Sequence, residues 1–181
     1  MLKKFKPLLV LISLIWLGYF ISLILPIFKT YGIVPRTFSG LKGILFSNFI
    51  HQDFHHLISN SMAFITLSCM LIIGYPKKYT KLTVSIALIS GGLIWGLARE
   101  ANHIGVSGVI YGFASFLIFT GWYQRSLKAI VLALIVLIGY GSLIYGLSPF
   151  QENISWEGHL FGGIAGFIMA RSSTNKKTNQ L

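Results

Sequence analysis

The chain has 181 residues, of which 54% are hydrophobic and only 10% charged, with a formal net charge of +11 at pH 7. Soluble domains carry roughly a quarter charged residues, so a water-soluble globular protein is excluded and a one-domain integral membrane protein is expected. Nucleic acid is not an expected partner either, because the basic residues stand in short clusters between long apolar runs, the way membrane topology is written.

Six apolar runs approach the roughly 20 residues that a membrane-crossing helix needs. The first covers residues 7–28 behind a basic N-terminus. It is longer than a signal-peptide core and lacks a small-x-small cleavage site, so it reads as a retained helix. A long connector with Pro35, Gly40 and Gly43 follows. Its apolar residues, Phe38, Leu41, Ile44 and Phe46 among them, predict a segment lying at the membrane interface rather than a free linker. The second span runs over 55–75 and stops at Pro76, which cannot continue a helix. The third covers 81–98, the fourth 106–123 and the fifth 128–147. The last, 157–172, is short and rich in glycine. The expected fold class is all-α, a polytopic bundle of six transmembrane helices over 1–172, with a short polar tail over 173–181.

Lys and Arg are biased toward cytoplasmic loops. One face receives Lys3, Lys4, Lys6, Lys77, Lys78, Lys81, Arg125, Lys128, Arg171, Lys176 and Lys177. The other receives only Lys29, Arg36, Lys42 and Arg99, together with all the acidic residues, Asp53, Glu100, Glu152 and Glu157. Both termini are therefore expected in the cytoplasm, which requires an even number of spans. The lone Cys69 lies within an apolar run, reads as a small buried hydrophobe and excludes an internal disulfide.

Three polar stretches on separate spans come to comparable depth in the outer half of the membrane. Gly105-Val106-Ser107-Gly108 opens the fourth span, His56-x-x-x-Asn60 lies on the second and His159-x-x-Gly162-x-x-x-Gly166 on the sixth. Ionisable groups inside a bilayer are costly and face an interior or a wet cavity. His56 and Asn60 share one helix face; two donors there could steady an anion, or could equally glue helices together. Gly162 and Gly166 offer a close-approach face that presses His159 against whichever helix docks there, and Gly105, Gly108 and Gly112 give the fourth span a matching face around Ser107. Packing those faces together brings an imidazole to a hydroxyl, the pairing of a nucleophile with its base. Ser107 also stands at a helix N-terminus, which favours an anion. No third residue is placed by spacing to orient His159: Glu157 points to another side of the helix and Asp53 lies in a loop, while Tyr111, one turn from Ser107, could hold the ring by stacking.

Other chemistries lack their residues. There is no His-Glu-x-x-His run for a metalloprotease, and His51, His55, His56, His103 and His159 have no acidic partner within a helix, so neither a metal nor a cofactor is expected. An aspartyl protease needs two membrane aspartates, and Asp53 is the only aspartate. The halves show none of the symmetry of a transporter.

In their order and placement, His56-Leu57-x-x-Asn60, Gly105-x-Ser107-Gly108 and His159-x-x-Gly162-x-x-x-Gly166 resemble the rhomboid family of intramembrane serine proteases, over roughly residues 7–171. The resemblance implies a six-helix bundle around a water-filled cavity open to the extracytoplasmic side. It implies Ser107 as nucleophile, His159 as general base, and His56, Asn60 and the Ser107 backbone N–H as the oxyanion hole. Gly105 would keep space beside the nucleophile, Tyr111 would pack on the catalytic histidine, and His51 has a counterpart at the head of the second helix. The fifth helix and the following loop would be the family's mobile gate. The family's Trp-Arg pair in the first loop is absent; Leu41-Lys42-Gly43-Ile44 stands there. The expected function is cleavage of transmembrane segments of single-span membrane proteins near the extracytoplasmic face, in a bacterial plasma membrane. The alternative is a non-catalytic rhomboid-like protein that binds membrane helices.

Overall fold

The structure is a computed structural model that describes residues 2–150 and 154–178. Glu152 and residues 179–181 of the expected tail lie outside the described residues. Seven α-helices occur among those described: α1 (Lys6–Ile24), α2 (Gly43–Phe46), α3 (Phe54–Gly74), α4 (Tyr79–Leu97), α5 (Ser107–Gln124), α6 (Leu127–Tyr140) and α7 (Trp156–Thr178). Short 3₁₀ turns fill much of the remainder, and the described residues hold no strand beyond one isolated bridge between Ile33 and His103.

Helix ends follow local chemistry. Asp53 caps α3 by accepting from the His56 backbone N–H at 2.8 Å. Ser126 caps α6 in the same way through the Ala129 N–H. Arg125 closes α5 in the left-handed conformation, with φ of 50°. Two of the predicted spans end earlier as α-helix than their apolar runs suggest. Pro26 follows the end of α1, and the chain turns into a 3₁₀ segment over Pro26–Tyr31. α6 gives way at Gly141 to a 3₁₀ segment over Gly141–Leu147, where Gly139, Gly141 and Gly146 weaken the α-helix. α7 instead runs past residue 172 to Thr178, because neither Gly nor Pro follows Gly166 to stop it.

Four stretches, Lys3–Ile24, Phe54–Gly74, Tyr79–Leu97 and Leu127–Leu147, are long and apolar enough to cross a membrane. α5 and α7 fall outside that set because they carry the glycines and polar side chains of the interior. α5 is the hub: α3, α4, α6 and α7 all pack against it. Phe113, Phe116, Leu117 and Thr120 of α5 are fully buried. The outward faces are apolar, with Leu14, Leu17 and Leu23 of α1 and Leu134, Leu137 and Ile138 of α6 exposed. A bilayer, not water, suits such a surface.

The α5–α7 contact is glycine against glycine. A Cβ on Gly162 would run into the Gly108 carbonyl oxygen, and one on Gly166 into the Gly112 carbonyl oxygen. Only glycine permits backbones this close. The long first loop is stitched to the end of α4 and to the segment between α4 and α5. Ile33 and His103 exchange backbone hydrogen bonds at 2.9 Å, the Arg36 guanidinium donates to the Ala98 carbonyl at 2.8 Å, and the Trp95 indole donates to the Thr37 carbonyl at 2.9 Å. That stitching sets the approach of the chain into Ser107.

Candidate active site

Ser107 is the first residue of α5, and His159 lies in the first turn of α7. The glycine seam between these helices brings His159 Nε2 to 3.0 Å from Ser107 Oγ. His159 is 8% exposed, and its ring stacks on Tyr111 with centroids 4.1 Å apart and planes within 6°. The other ring nitrogen, Nδ1, lies 2.8 Å from the Gly146 carbonyl oxygen. A carbonyl can only accept, so Nδ1 carries the hydrogen and the neutral ring turns the lone pair of Nε2 toward the serine hydroxyl. Tyr111 is fixed in turn by donating its hydroxyl to the Leu143 carbonyl at 2.6 Å.

Against Gly105, two residues before Ser107, α3 presents His56 and Asn60 one turn apart. Gly105 adopts φ of +102°, which side-chain-bearing residues rarely adopt. A Cβ there would stand 3.0–3.1 Å from the His56 ring and 3.5 Å from Asn60 Nδ2. Glycine therefore leaves open the point on which the two donors converge. Asn60 Nδ2 is buried and has no hydrogen-bond partner among the described residues, an expensive arrangement for a donor. The Ser107 N–H belongs to the first turn of α5, where backbone donors lack helical acceptors. His56 and Ser107 are half-buried, not sealed.

His51 sits behind His56, fully buried, with ring centroids 5.0 Å apart. Burial, then the neighbouring His56, pushes its imidazole down to about 3, while Asp53 pulls the other way. The backbone N–H of His56 holds the exposed Asp53 carboxyl below its usual range.

Spacing alone had not singled out a second buried cluster. His103 Nδ1 lies 2.6 Å from Ser155 Oγ, and Nε2 lies 3.1 Å from the Arg99 carbonyl. Arg99 and Glu157 form an ion pair at 3.5 Å, and the Arg99 guanidinium also donates to the Ile154 carbonyl at 2.9 Å. Burial is the main reason the His103 imidazole lies below its ordinary value. These residues join the segment leading into Ser107 to the segment leading into His159. The available signal was Ser155, a capping residue placed three before Gly158, whose N–H it accepts at 3.3 Å. Gly158 was the other missed sign: it extends the glycine repeat of α7 one turn earlier, and a Cβ there would meet Ser155 Oγ.

The family model for the rhomboid domain matches residues 39–174. The chain belongs to the rhomboid family. Curated relatives include an uncharacterized protein of Mycobacterium tuberculosis, 31% identical over 148 residues that make up 77% of this chain and 62% of the relative. An uncharacterized protein of Mycobacterium leprae is 29% identical over 152 residues, 78% of this chain and 60% of its own length. A protein of Acanthamoeba polyphaga mimivirus, named provisionally as a rhomboid protein, is 28% identical over 138 residues, 74% and 75% of the two chains. The chain thus spans about 62% of the length of the mycobacterial relatives. The rhomboid domain and the apolar helices together make this a multi-pass membrane protein.

Proposed function

We propose that this rhomboid is an intramembrane serine endopeptidase acting through a Ser107–His159 dyad. The observation that carries the reading is the 3.0 Å approach of His159 Nε2 to Ser107 Oγ, from separate helices held together by glycines. Ser107 Oγ attacks the scissile carbonyl as its proton passes to His159 Nε2. The negative charge developing on the carbonyl oxygen is met by the Ser107 N–H, His56 and Asn60, a set of donors fixed before the reaction. His159 then returns the proton to the leaving amine, and water hydrolyses the acyl-enzyme with His159 again as base.

The unpartnered Asn60 donor supports this reading over a helix-gluing role for the His56–Asn60 pair, because glue would have found an acceptor. In this reading α1, α3, α4, α5, α6 and α7 all cross the membrane as one domain over residues 1–172. α5 and α7 are sheltered enough by their neighbours to do so with fewer apolar residues. Residues 173–181 form a cytoplasmic tail, both termini face the cytoplasm of a bacterial cell, and the dyad opens outward.

The substrates are the transmembrane segments of single-span membrane proteins. A peptide bond within a helix is already hydrogen-bonded, so helix-weakening residues near the cut are expected. A generic transmembrane substrate incubated in detergent with wild type and with Ser107→Ala tests the assignment. Cleavage by wild type and none by a folded Ser107→Ala variant is the expected result; equal cleavage by both overturns it. Fluorophosphonate labelling that disappears in Ser107→Ala gives a substrate-independent check.

A further inference from the structure

A serine–histidine pair works only while the imidazole holds one tautomer and one orientation, a task that a buried carboxylate performs in a soluble triad. The carboxylate nearest in the chain, Glu157, is turned toward Arg99. The acceptor that His159 Nδ1 actually meets is the Gly146 carbonyl oxygen at 2.8 Å. Within a membrane this substitution makes physical sense: a carbonyl dipole selects the same tautomer without the cost of burying a second charge.

Gly146 belongs to the 3₁₀ segment Gly141–Leu147, and the same segment supplies the Leu143 carbonyl that takes the Tyr111 hydroxyl at 2.6 Å. One short strap therefore holds both rings of the Tyr111–His159 stack, each by a polar atom at its edge. The residue type at 146 is dictated by that contact. A Cβ there would collide with the Tyr111 hydroxyl and stand 3.0 Å from His159 Nδ1. By contrast, a Cβ at Gly139 or Gly141 would meet nothing within 4 Å.

Building on the dyad reading, we propose that Gly146 is a positioning residue. Its carbonyl is the third member of the catalytic set, and its missing side chain lets the strap come close against the polar edges of the stacked rings. During attack the serine proton arrives at Nε2 while the other hydrogen stays on Nδ1, which keeps donating it to the Gly146 carbonyl oxygen. No further proton moves. Orientation of the base thus depends on the strap being closed over it, and a displaced strap leaves a histidine free to turn.

The test pairs kinetics with a direct view of the ring. Gly146→Ala is expected to lower kcat about 10- to 100-fold, less than the roughly 10⁴-fold loss when a triad histidine takes the wrong tautomer. KM should stay within about twofold, because the substrate-facing walls are untouched. Fluorophosphonate labelling should slow with kcat, while Gly139→Ala keeps wild-type rates. Nitrogen-15 NMR of histidine-labelled wild type at neutral pH should show His159 protonated at Nδ1 and bare at Nε2, with that preference lost in Gly146→Ala.

A folded Gly146→Ala protein with wild-type kcat overturns the proposal, as does a wild-type ring protonated at Nε2. If Gly146→Ala does not fold, the wild-type NMR spectrum decides alone. Cleavage that survives Ser107→Ala would instead overturn the dyad reading, and the two failures are told apart because the NMR result needs no substrate.

Discussion

Glu157 stands two residues before His159, yet its carboxylate turns to Arg99, with Arg99 Nη1 3.5 Å from Glu157 Oε2 and the Arg99 backbone N–H donating to Oε1 at 3.4 Å. The pair is lopsided in exposure, the arginine side chain at 39% and the glutamate at 4%. Removing one partner of a buried pair hurts because the other charge is left stranded. Here the two directions differ. Arg99→Ala strands a buried carboxylate and also frees the Ile154 carbonyl, so a loss of about 3 kcal/mol is expected. Glu157→Gln leaves a half-exposed guanidinium that water can reach, and about 1 kcal/mol is expected. Thermal unfolding of both variants in detergent should show the arginine variant melting clearly lower; equal losses would mean the pair is not the stabilising element.

Asn60 separates function from stability in the opposite sense. Its Nδ2 is buried without a partner, so the folded protein bears a desolvation cost with no hydrogen bond in return. Asn60→Leu should leave the melting temperature unchanged or higher while lowering kcat about 10²-fold, the usual effect of removing an oxyanion donor. A variant that melts lower and cleaves normally would make Asn60 a packing residue.

The seam between α5 and α7 allows a neighbouring pair of glycines to be compared. Gly162→Ala would push a methyl group into the Gly108 backbone oxygen, and an overpacking cost of about 2 kcal/mol is expected. Gly163, one position on, has open space where its Cβ would be. Gly163→Ala should therefore be neutral or stabilising by up to about 1 kcal/mol through helix propensity. The melting temperatures of the two single variants in detergent check this directly, and a parallel loss in both would argue against backbone contact at Gly162.

Much of this arrangement was readable because membrane helices announce themselves through long apolar runs and charged ends. The helices meet the predicted apolar runs to within a few residues, except where Pro26 and Gly141 cut a run short and where α7 continues past 172 to Thr178. The glycine spacing around Ser107 and His159 also pointed to a close contact between α5 and α7. What could not be read were the partners that act through the backbone or across loops. The Gly146 carbonyl holds His159 Nδ1, but a main-chain oxygen leaves no residue-type signal. Glu157 was set aside because helical spacing turned it from His159, and the same geometry aims it at Arg99. His103 stands in no motif; its burial comes from contacts far away in sequence, the bridge to Ile33 and the Ser155 hydroxyl.

His51 gives the structure its sharpest expected response to acid. The ring is fully buried, neither nitrogen has a hydrogen-bond partner among the described residues, and its folded-state value of about 3 compares with 6.5 for an ordinary histidine. Between those values the unfolded chain binds the proton and the folded one does not, so stability rises with pH across that window. The contribution is complete above about pH 6.5 and is lost as pH falls toward 3, at up to about 1.4 kcal/mol per pH unit. His103, also held low by burial, adds a loss of the same sign. The Asp53 carboxyl, held low by its cap bond to His56, responds only at more acid pH, so measurements kept above about pH 4.5 isolate the histidines. Thermal melting in detergent should be flat from pH 8 to 7 and fall steadily below 6.5. His51→Leu should flatten the slope while leaving the share that belongs to the remaining histidines; if the variant and wild type lose stability in parallel from pH 6.5 to 5, His51 is not the group that acid must protonate.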